Sequence, residues 1–157
     1  RAHGGDGCWT PLARALTGRY SQVDAAADSF LDMAAFGRLP DKMPAPFLAS
    51  GQEVMLVSYT KGKVKATPGF DKIKALPSFV YLETAVDVGS EVEYSVDLFT
   101  AAGSVILMHK DRAQLEKDIE TIRQLEKDCS LFELEEHNVV LGRPRAQSEL
   151  KPQYEEL

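Results

Sequence analysis

The chain is poor in the residues that define several common classes of protein. Its two cysteines, Cys8 and Cys129, lie far apart in 157 residues and do not make a disulfide scaffold. A single long-range disulfide and a pair of reduced thiols both stay open. No CxxC pair or Cys/His cluster occurs and the three histidines are scattered, which disfavours a structural zinc site.

Positive charge and long apolar runs are also scarce. Against 24 Asp and Glu there are 18 Lys and Arg, a net charge of −6, which disfavours binding to nucleic acid because a phosphate backbone requires a basic face. No apolar run approaches the roughly 20 residues of a membrane helix, so we expect no transmembrane segment. The composition, 44% hydrophobic and 27% charged, is typical of a soluble globular chain. No targeting segment indicates a compartment.

Residues 1–46 are predicted to form a loop followed by two helices. Thr10-Pro11 is an N-cap followed by proline in the first helical turn, and Gly18 is a glycine stop. A second helix is predicted from Ser21 to Gly37, with apolar residues at helical spacing. A proline-rich connector follows it.

Over residues 47–129 the spacing of the apolar residues changes to the pattern of short β-strands. The predicted strands are 53–59, 63–67, 79–83, 91–98 and 104–109. Lys61-Gly62 predicts a tight turn that joins the first two into a hairpin. The strand over 91–98 alternates most clearly and predicts one buried face, formed by Val92, Tyr94, Val96 and Leu98. A short helix is predicted over 70–76.

The last regular element is predicted to be an amphipathic helix. Asp111 is placed as its N-cap, with Gln114 three residues on for a capping box, and Leu115, Ile119 and Ile122 line one face. A short strand over 131–134 follows. Residues 142–157 are polar and contain prolines, so we expect residues 130–157 to form an extended tail that lies along a protein partner or stays disordered.

This order predicts an α+β fold, a small antiparallel sheet with flanking helices. Consecutive strands are joined by short turns, which favours antiparallel pairing. Three segments are expected: the loop and two helices of 1–46, an α+β subdomain over 47–129, and the tail of 130–157.

The residues most suited to binding chemistry lie at positions 1 to 6. Arg1 offers a planar donor fork for a carboxylate or phosphate, and Gly4-Gly5 lets backbone N–H groups approach an anion closely. His3 and Asp6 lie between and after them. The predicted helix start nearby adds a positive dipole end. The plainer alternative is a glycine-rich turn with a solvated arginine.

Other residues are weaker candidates. Glu83 ends a predicted strand and could face a cleft, His109 ends another, and Trp9 stands beside the glycine loop. Their simpler interpretations are a solvated carboxylate, a surface histidine and a hydrophobic anchor.

The order of these features resembles the C-terminal part of the ATP-grasp ligases, over roughly residues 1–127. The shared features are short motifs at matching places along the chain. They are Arg1 with Gly4-Gly5, Leu16-Thr17-Gly18, Val23–Ala26, Val88–Val92, and Gly103–Leu107 with the helix after it. The nearest subgroup is the carboxylate–amine ligases, which form dipeptides and related amides.

The resemblance implies a function for the loop. In that superfamily a Glu-x-Asn-x-Arg motif holds magnesium through its Glu and Asn, and its Arg with a Gly-Gly pair contacts the substrate carboxylate or acyl-phosphate. Arg1 would be that catalytic arginine, and His3, Gly4, Gly5 and Asp6 would lie against the substrate. ATP and Mg²⁺ are implied for the whole protein, whereas no metal ligand is expected in this chain.

We therefore expect the chain to be a segment of a longer protein whose ATP-binding lobe precedes residue 1, and to be inactive without that lobe. An alternative of another class is a non-catalytic accessory subunit derived from the same fold, which uses the 130–157 tail to contact an assembly.

Overall fold

The computed structural model describes residues 9–18, 20–40, 49–135 and 140–141, and within them the fold is α+β, as predicted. Two small antiparallel sheets, rather than one, form its centre. Helices flank them.

Three helices precede the first strand: α1 (Trp9–Thr17), α2 (Gln22–Leu31) and α3 (Met33–Phe36). The stop at Gly18 is confirmed, because this glycine adopts a left-handed backbone with φ of 80°. The single helix predicted from Ser21 to Gly37 is wrong. Asp32 leaves the helical region with φ of −143°, and its side chain caps α3 by accepting the N–H of Ala35.

The first sheet has the strand order β1 (Ser50–Leu56), β5 (Gly103–His109) and β3 (Phe79–Thr84). Both pairings are antiparallel, and Val54 stands opposite Val105. The predicted strands over 79–83 and 104–109 are confirmed within one residue at each end.

The second sheet is built around β2 (Thr60–Ala66), which lies between β4 (Glu91–Val92) and β6 (Glu133–Leu134). A further short strand, β7 (Val140–Leu141), also pairs with β2. All these pairings are antiparallel.

The predicted hairpin at Lys61-Gly62 is wrong. Both residues lie inside β2, and β1 and β2 belong to different sheets. The chain leaves the first sheet at Val57, whose N–H donates to the Glu126 carboxylate of a distant helix instead of a neighbouring strand. A lysine and a glycine are typical of a turn, but tertiary contacts decide this position.

The strand predicted over 91–98 is also wrong beyond Val92. Leu98–Thr100 is a 3-10 helix, and the Asp97 carboxylate accepts the N–H groups of Phe99 and Thr100, each at 3.0 Å. Val96 is 82% exposed, so the alternation there does not mark a buried face. Aspartate and threonine compete with strand pairing through such local hydrogen bonds.

Two more helices complete the fold, α4 (Pro68–Lys74) and α5 (Arg112–Lys127). Asp111 caps α5 as predicted, by accepting the N–H of Ala113. The capping box is wrong, because the Gln114 amide donates to Asp118 at 2.8 Å. The Asp111 N–H donates instead to His109 Nδ1.

The main hydrophobic core lies between α5, α4 and the two sheets, and its side chains come from every one of these elements. Its least exposed members are Val54, Leu56, Val64, Ile73, Ala102, Val105, Leu107 and Ile122. At one edge of the core the rings of Phe70 and Phe132 meet edge to face, 5.4 Å between centroids. No helix in the described ranges is long and apolar enough to cross a membrane.

Candidate functional site

The predicted ligand-binding residues Arg1, His3, Gly4, Gly5 and Asp6 lie outside the described residues. The description begins at Trp9, the first residue of α1. The structure therefore describes the helix that follows the predicted loop, together with the contacts that hold this helix in place.

Helix α1 is held against the first sheet at a glycine. It lies against β1 and β5. A Cβ on Gly51 would lie 2.7 Å from Leu12 Cδ1 and 3.2 Å from both Leu16 Cδ2 and the Leu107 carbonyl oxygen, so any larger residue would displace these two leucines. The apolar side predicted for the first helix, Leu12 and Leu16, is confirmed as its contact with the sheet.

An ion pair then fixes the start of α2 to α1. Arg14 Nε and Nη2 donate to the two carboxylate oxygens of Asp24, at 3.0 and 2.6 Å. The same carboxylate accepts the Ser21 N–H at 2.8 Å and forms the capping box of α2. A sequence signal for this pair existed, an arginine in the last turn of one helix and an aspartate in the first turn of the next, but spacing alone does not predict that they meet.

Contacts at this junction shift the pKa of Asp24 and the pKa of Tyr20. Hydrogen bonds from Arg14, and then from Ser21, hold the pKa of Asp24 well below its usual range. Tyr20 donates its hydroxyl to Asp28 at 2.7 Å, and this hydrogen bond raises the pKa of Tyr20 to about 12. The carboxylate of Asp24 is therefore ionised throughout the physiological pH range.

A cleft of about 430 Å³ opens where α1 begins and α2 begins. It is lined by Trp9, Thr10 and Ala13 of α1 and by Ser21 and Gln22 at the start of α2. The first turn of α1 carries no acidic side chain, whereas that of α2 carries Asp24. Asp24 therefore offsets the positive dipole end of α2, whereas no carboxylate in the first turn of α1 offsets that of α1. The start of α1 favours an anion at this cleft.

The weaker candidates lie elsewhere in the fold. Glu83 lines a separate, open cavity of about 320 Å³ with Glu53 and Phe99, on the first sheet. His109 Nδ1 accepts the Asp111 N–H at 3.0 Å and so helps begin α5. Trp9 lines the α1 cleft.

Within the described part of the chain, no group of three or more His, Cys, Asp or Glu side chains is arranged to hold a metal ion. Cys129 is a free thiol, and Cys8, the other half of the possible disulfide, lies outside the described residues.

Comparisons with protein-family models, curated proteins and solved structures give no match to this chain.

Proposed function

We propose that this chain is the C-terminal segment of an ATP-dependent carboxylate–amine ligase of the ATP-grasp type. The observation that carries the proposal is the cleft at the start of α1. This helix begins at Trp9, three positions after Asp6 in the chain. A helix start with no acidic residue in its first turn suits the phosphate or carboxylate of an acyl-phosphate.

The order of the described elements agrees with the proposal. A helix ends at left-handed Gly18, α2 and the short α3 follow, and then come strands with α4 among them and α5 after β5. The glycine stop at Gly18 and the succession of β5 and α5 are the parts of this order that the resemblance implies. The seat of α1 on Gly51 and the Arg14–Asp24 ion pair would keep the loop and the sheet in a fixed relation.

The proposed reaction has two chemical steps. The substrate carboxylate oxygen attacks the terminal phosphorus of ATP, which forms an acyl-phosphate and releases ADP. An amine nitrogen then attacks the acyl carbon, the bond to the phosphate oxygen breaks, and the amine loses a proton to leave an amide and inorganic phosphate. Arg1 would neutralise the acyl-phosphate, and the Gly4 and Gly5 N–H groups would donate to its oxygens.

The magnesium ions that such ligases use would be held by the Glu and Asn that precede the arginine in the motif, ahead of Arg1. The described residues do not offer an alternative set of ligands. They do not fit the metal, so no step is assigned to a metal in this chain.

The sequence encoded immediately upstream of Arg1 is the first test. A Glu-x-Asn directly before the residue preceding Arg1 is expected, and its absence there would remove the basis of the proposal. The second test assays the longer protein for ADP and phosphate release with panels of carboxylate and amine substrates. Arg1→Ala is expected to lower kcat by about 10²-fold to 10³-fold.

Arg112→Ala is the matched control, because Arg112 is an exposed arginine paired only with Glu116 among the described contacts. It should keep kcat within about twofold, since exposed ion pairs contribute little. Equal loss of activity in both variants would contradict the role given to Arg1.

One observation favours the alternative, a non-catalytic accessory subunit. Phe30 and Leu31 at the end of α2 are 87% and 86% exposed, and Met33 of α3 is 67% exposed. Such a group of apolar side chains is typical of a surface that another protein or lobe covers. Absence of ATP binding by the longer protein, together with its recovery in a stable complex, would favour the accessory subunit.

A further inference from the structure

One face of the first sheet is only partly covered. Glu53 and Met55 lie on the same face of β1 as Gly51, because successive side chains of a strand alternate. Helix α1 packs on this face at Gly51. Ser104 stands opposite Met55 and also opposite Glu83 of β3, so these side chains lie on that face as well. The open cavity of about 320 Å³ lies there, beyond the part that α1 covers.

A loop with two exposed apolar side chains completes the wall of this cavity. Leu98 and Phe99 line the cavity, and they are 63% and 95% exposed. Phe99 is thus almost entirely in water, although contact with an apolar surface would stabilise its ring. Exposed apolar side chains that lie together beside a concave surface are typical of a binding site. The position of Phe99 therefore favours a ligand that packs on its ring.

Hydrogen bonds within the loop hold it in one conformation. Asp97 Oδ1 accepts the N–H groups of Phe99 and Thr100, each at 3.0 Å. Thr100 Oγ1 accepts the Val96 N–H at 2.8 Å and the Asp97 N–H at 3.0 Å. The backbone that carries Phe99 is therefore ordered before any ligand binds. A ligand that contacts an ordered side chain loses less free energy to conformational entropy, so such a loop binds more tightly than a mobile one.

Both ends of the loop are also tied to the end of β1. The Ser95 N–H donates to the Ser58 carbonyl at 3.0 Å, and the Ser58 N–H donates to Ser95 Oγ at 2.9 Å. At the other end, the Ala102 N–H donates to the Leu56 carbonyl at 2.9 Å. Because Leu56 ends the strand that carries Glu53, these bonds fix the loop relative to the open face of the sheet.

The side chains that line the cavity carry negative charge. Among these described residues the charged groups are the carboxylates of Glu53 and Glu83, and none is Lys, Arg or His. Glu83 has an interaction of its own, whereas no hydrogen bond or ion pair of the Glu53 side chain is found within the described part of the chain. Arg123 of α5 reaches the Met55 carbonyl, but it is ion-paired with Glu126. Glu53 is therefore the carboxylate that can receive a cation from a ligand.

We propose that the open cavity binds an arginine side chain of a partner protein. A guanidinium is a planar donor fork that fits a carboxylate and also stacks on an aromatic ring, so it suits Glu53 and Phe99 together. The apolar stem of the arginine packs on Met55, and an apolar residue beside it in the partner packs on Leu98. The partner that fits is thus a protein segment with arginine next to apolar residues. This inference does not depend on the proposed function.

An NMR titration of the whole chain with capped tripeptides tests the site. The probe is acetyl-Leu-Arg-Leu-amide, and its matched controls replace the arginine with lysine or glutamate. The arginine tripeptide should shift the Met55 methyl signal and the Phe99 N–H signal in a saturable way. The lysine tripeptide should bind at least about threefold more weakly, because an ammonium group lacks the planar fork. Saturable shifts of the same signals by the glutamate tripeptide, or no shift with the arginine tripeptide at about 10 mM, would overturn the proposal.

Substitutions in and outside the cavity locate the binding residues. Phe99→Ala and Glu53→Gln should each weaken binding of the arginine tripeptide about fivefold or more, since one removes the ring and the other the charge. Val88→Ala and Glu91→Gln are the matched controls, because both side chains are exposed and do not line the cavity. These controls should keep the affinity within about twofold. Unchanged affinity in Phe99→Ala and Glu53→Gln would overturn the proposal.

Thr100→Val tests the contribution of the ordered loop. Thr100 does not line the cavity, but its hydroxyl accepts two N–H groups of the loop. Its loss should therefore weaken binding of the arginine tripeptide about threefold, because Phe99 is then less ordered before binding. Signals of Met55 and Phe99 that move with protein concentration in the absence of peptide would overturn the proposal, since a second copy of the chain would then fill the cavity.

Discussion

Glu126 Oε1 accepts the backbone N–H of Val57 at 2.9 Å, across 69 positions of sequence. The same carboxylate receives both of its other hydrogen bonds from Arg123 Nη1, which also donates to the Met55 carbonyl. Glu126 is 2% exposed. A partly buried ion pair thus contacts the C-terminal end of β1 and turns the chain out of the first sheet.

Glu126→Leu should destabilise the protein by about 3 kcal/mol, because it leaves the Val57 N–H and the Arg123 guanidinium without their buried acceptor. Urea denaturation followed by circular dichroism measures this change in the free energy of unfolding. Glu120→Leu on the exposed part of α5 is the control and should change stability by less than about 0.5 kcal/mol. Similar losses in both variants would argue that the helix, and not the contact with β1, is affected.

Gly103→Ala should be far more damaging than Gly89→Ala. Both glycines have positive φ, 145° and 89°. A Cβ on Gly103 would lie 2.3 Å from the Glu83 carbonyl oxygen, whereas one on Gly89 would meet nothing within 4 Å. We expect Gly103→Ala to lower the free energy of unfolding by about 3 kcal/mol or more, because steric overlap adds to backbone strain. Gly89→Ala should lower it by about 1 kcal/mol, from backbone strain alone. Thermal unfolding of the two variants side by side decides the matter, and equal melting temperatures would be the contrary result.

Cys129→Gly should stabilise the protein by about 0.5–1 kcal/mol. Cys129 has φ of 53°, and the Cys129 and Ser130 N–H groups donate to the Glu126 and Leu125 carbonyls, which is the hydrogen-bond pattern of a Schellman motif after α5. Glycine suits this conformation better than any residue with a Cβ. Cys129→Ala, which keeps the Cβ, is the control and should give no gain; a gain in both variants would assign the effect to loss of the thiol.

Tyr20 should ionise later than an ordinary tyrosine, since its hydrogen bond to Asp28 raises its pKa from 10.0 to about 12. The folded-state pKa is the higher one, so this contact contributes stability that is fully present below about pH 10 and is lost as pH rises through about 12. A titration of tyrosinate absorbance should show a late step that Tyr20→Phe removes. Asp28→Asn should move that step toward pH 10, and a titration unchanged by both substitutions would contradict the contact.

Local signals in the sequence predicted single elements well. The capping aspartate at Asp111, the glycine stop at Gly18 and the strand that ends at His109 are all found. Each depends on contacts within a few residues, such as a side-chain oxygen that meets the first N–H groups of a helix. The candidate loop at Arg1–Asp6 stays a prediction, as does the family resemblance built on it.

Pairing between strands was predicted much less well. Lys61-Gly62 has the composition of a turn and yet lies within β2, and the alternation from Val92 to Leu98 yields a strand of two residues. Distant groups act in both places: Glu126 and Arg123 at the end of β1, and Ser58, which bonds to Ser95. In the second place the local hydrogen bonds of Asp97 add to this effect. Such partners cannot be identified from spacing in one sequence.

The sequence by itself determined the α+β class, the positions of most helices and strands, and the net charge of −6. These follow from residue periodicity, caps and charge, which act locally or by summation. Only the tertiary structure decided that the strands form two sheets, that Arg14 meets Asp24, and that α1 rests on Gly51. The physical reason is that burial and close packing join residues far apart in the chain, and one missing Cβ or one buried carboxylate fixes where they meet.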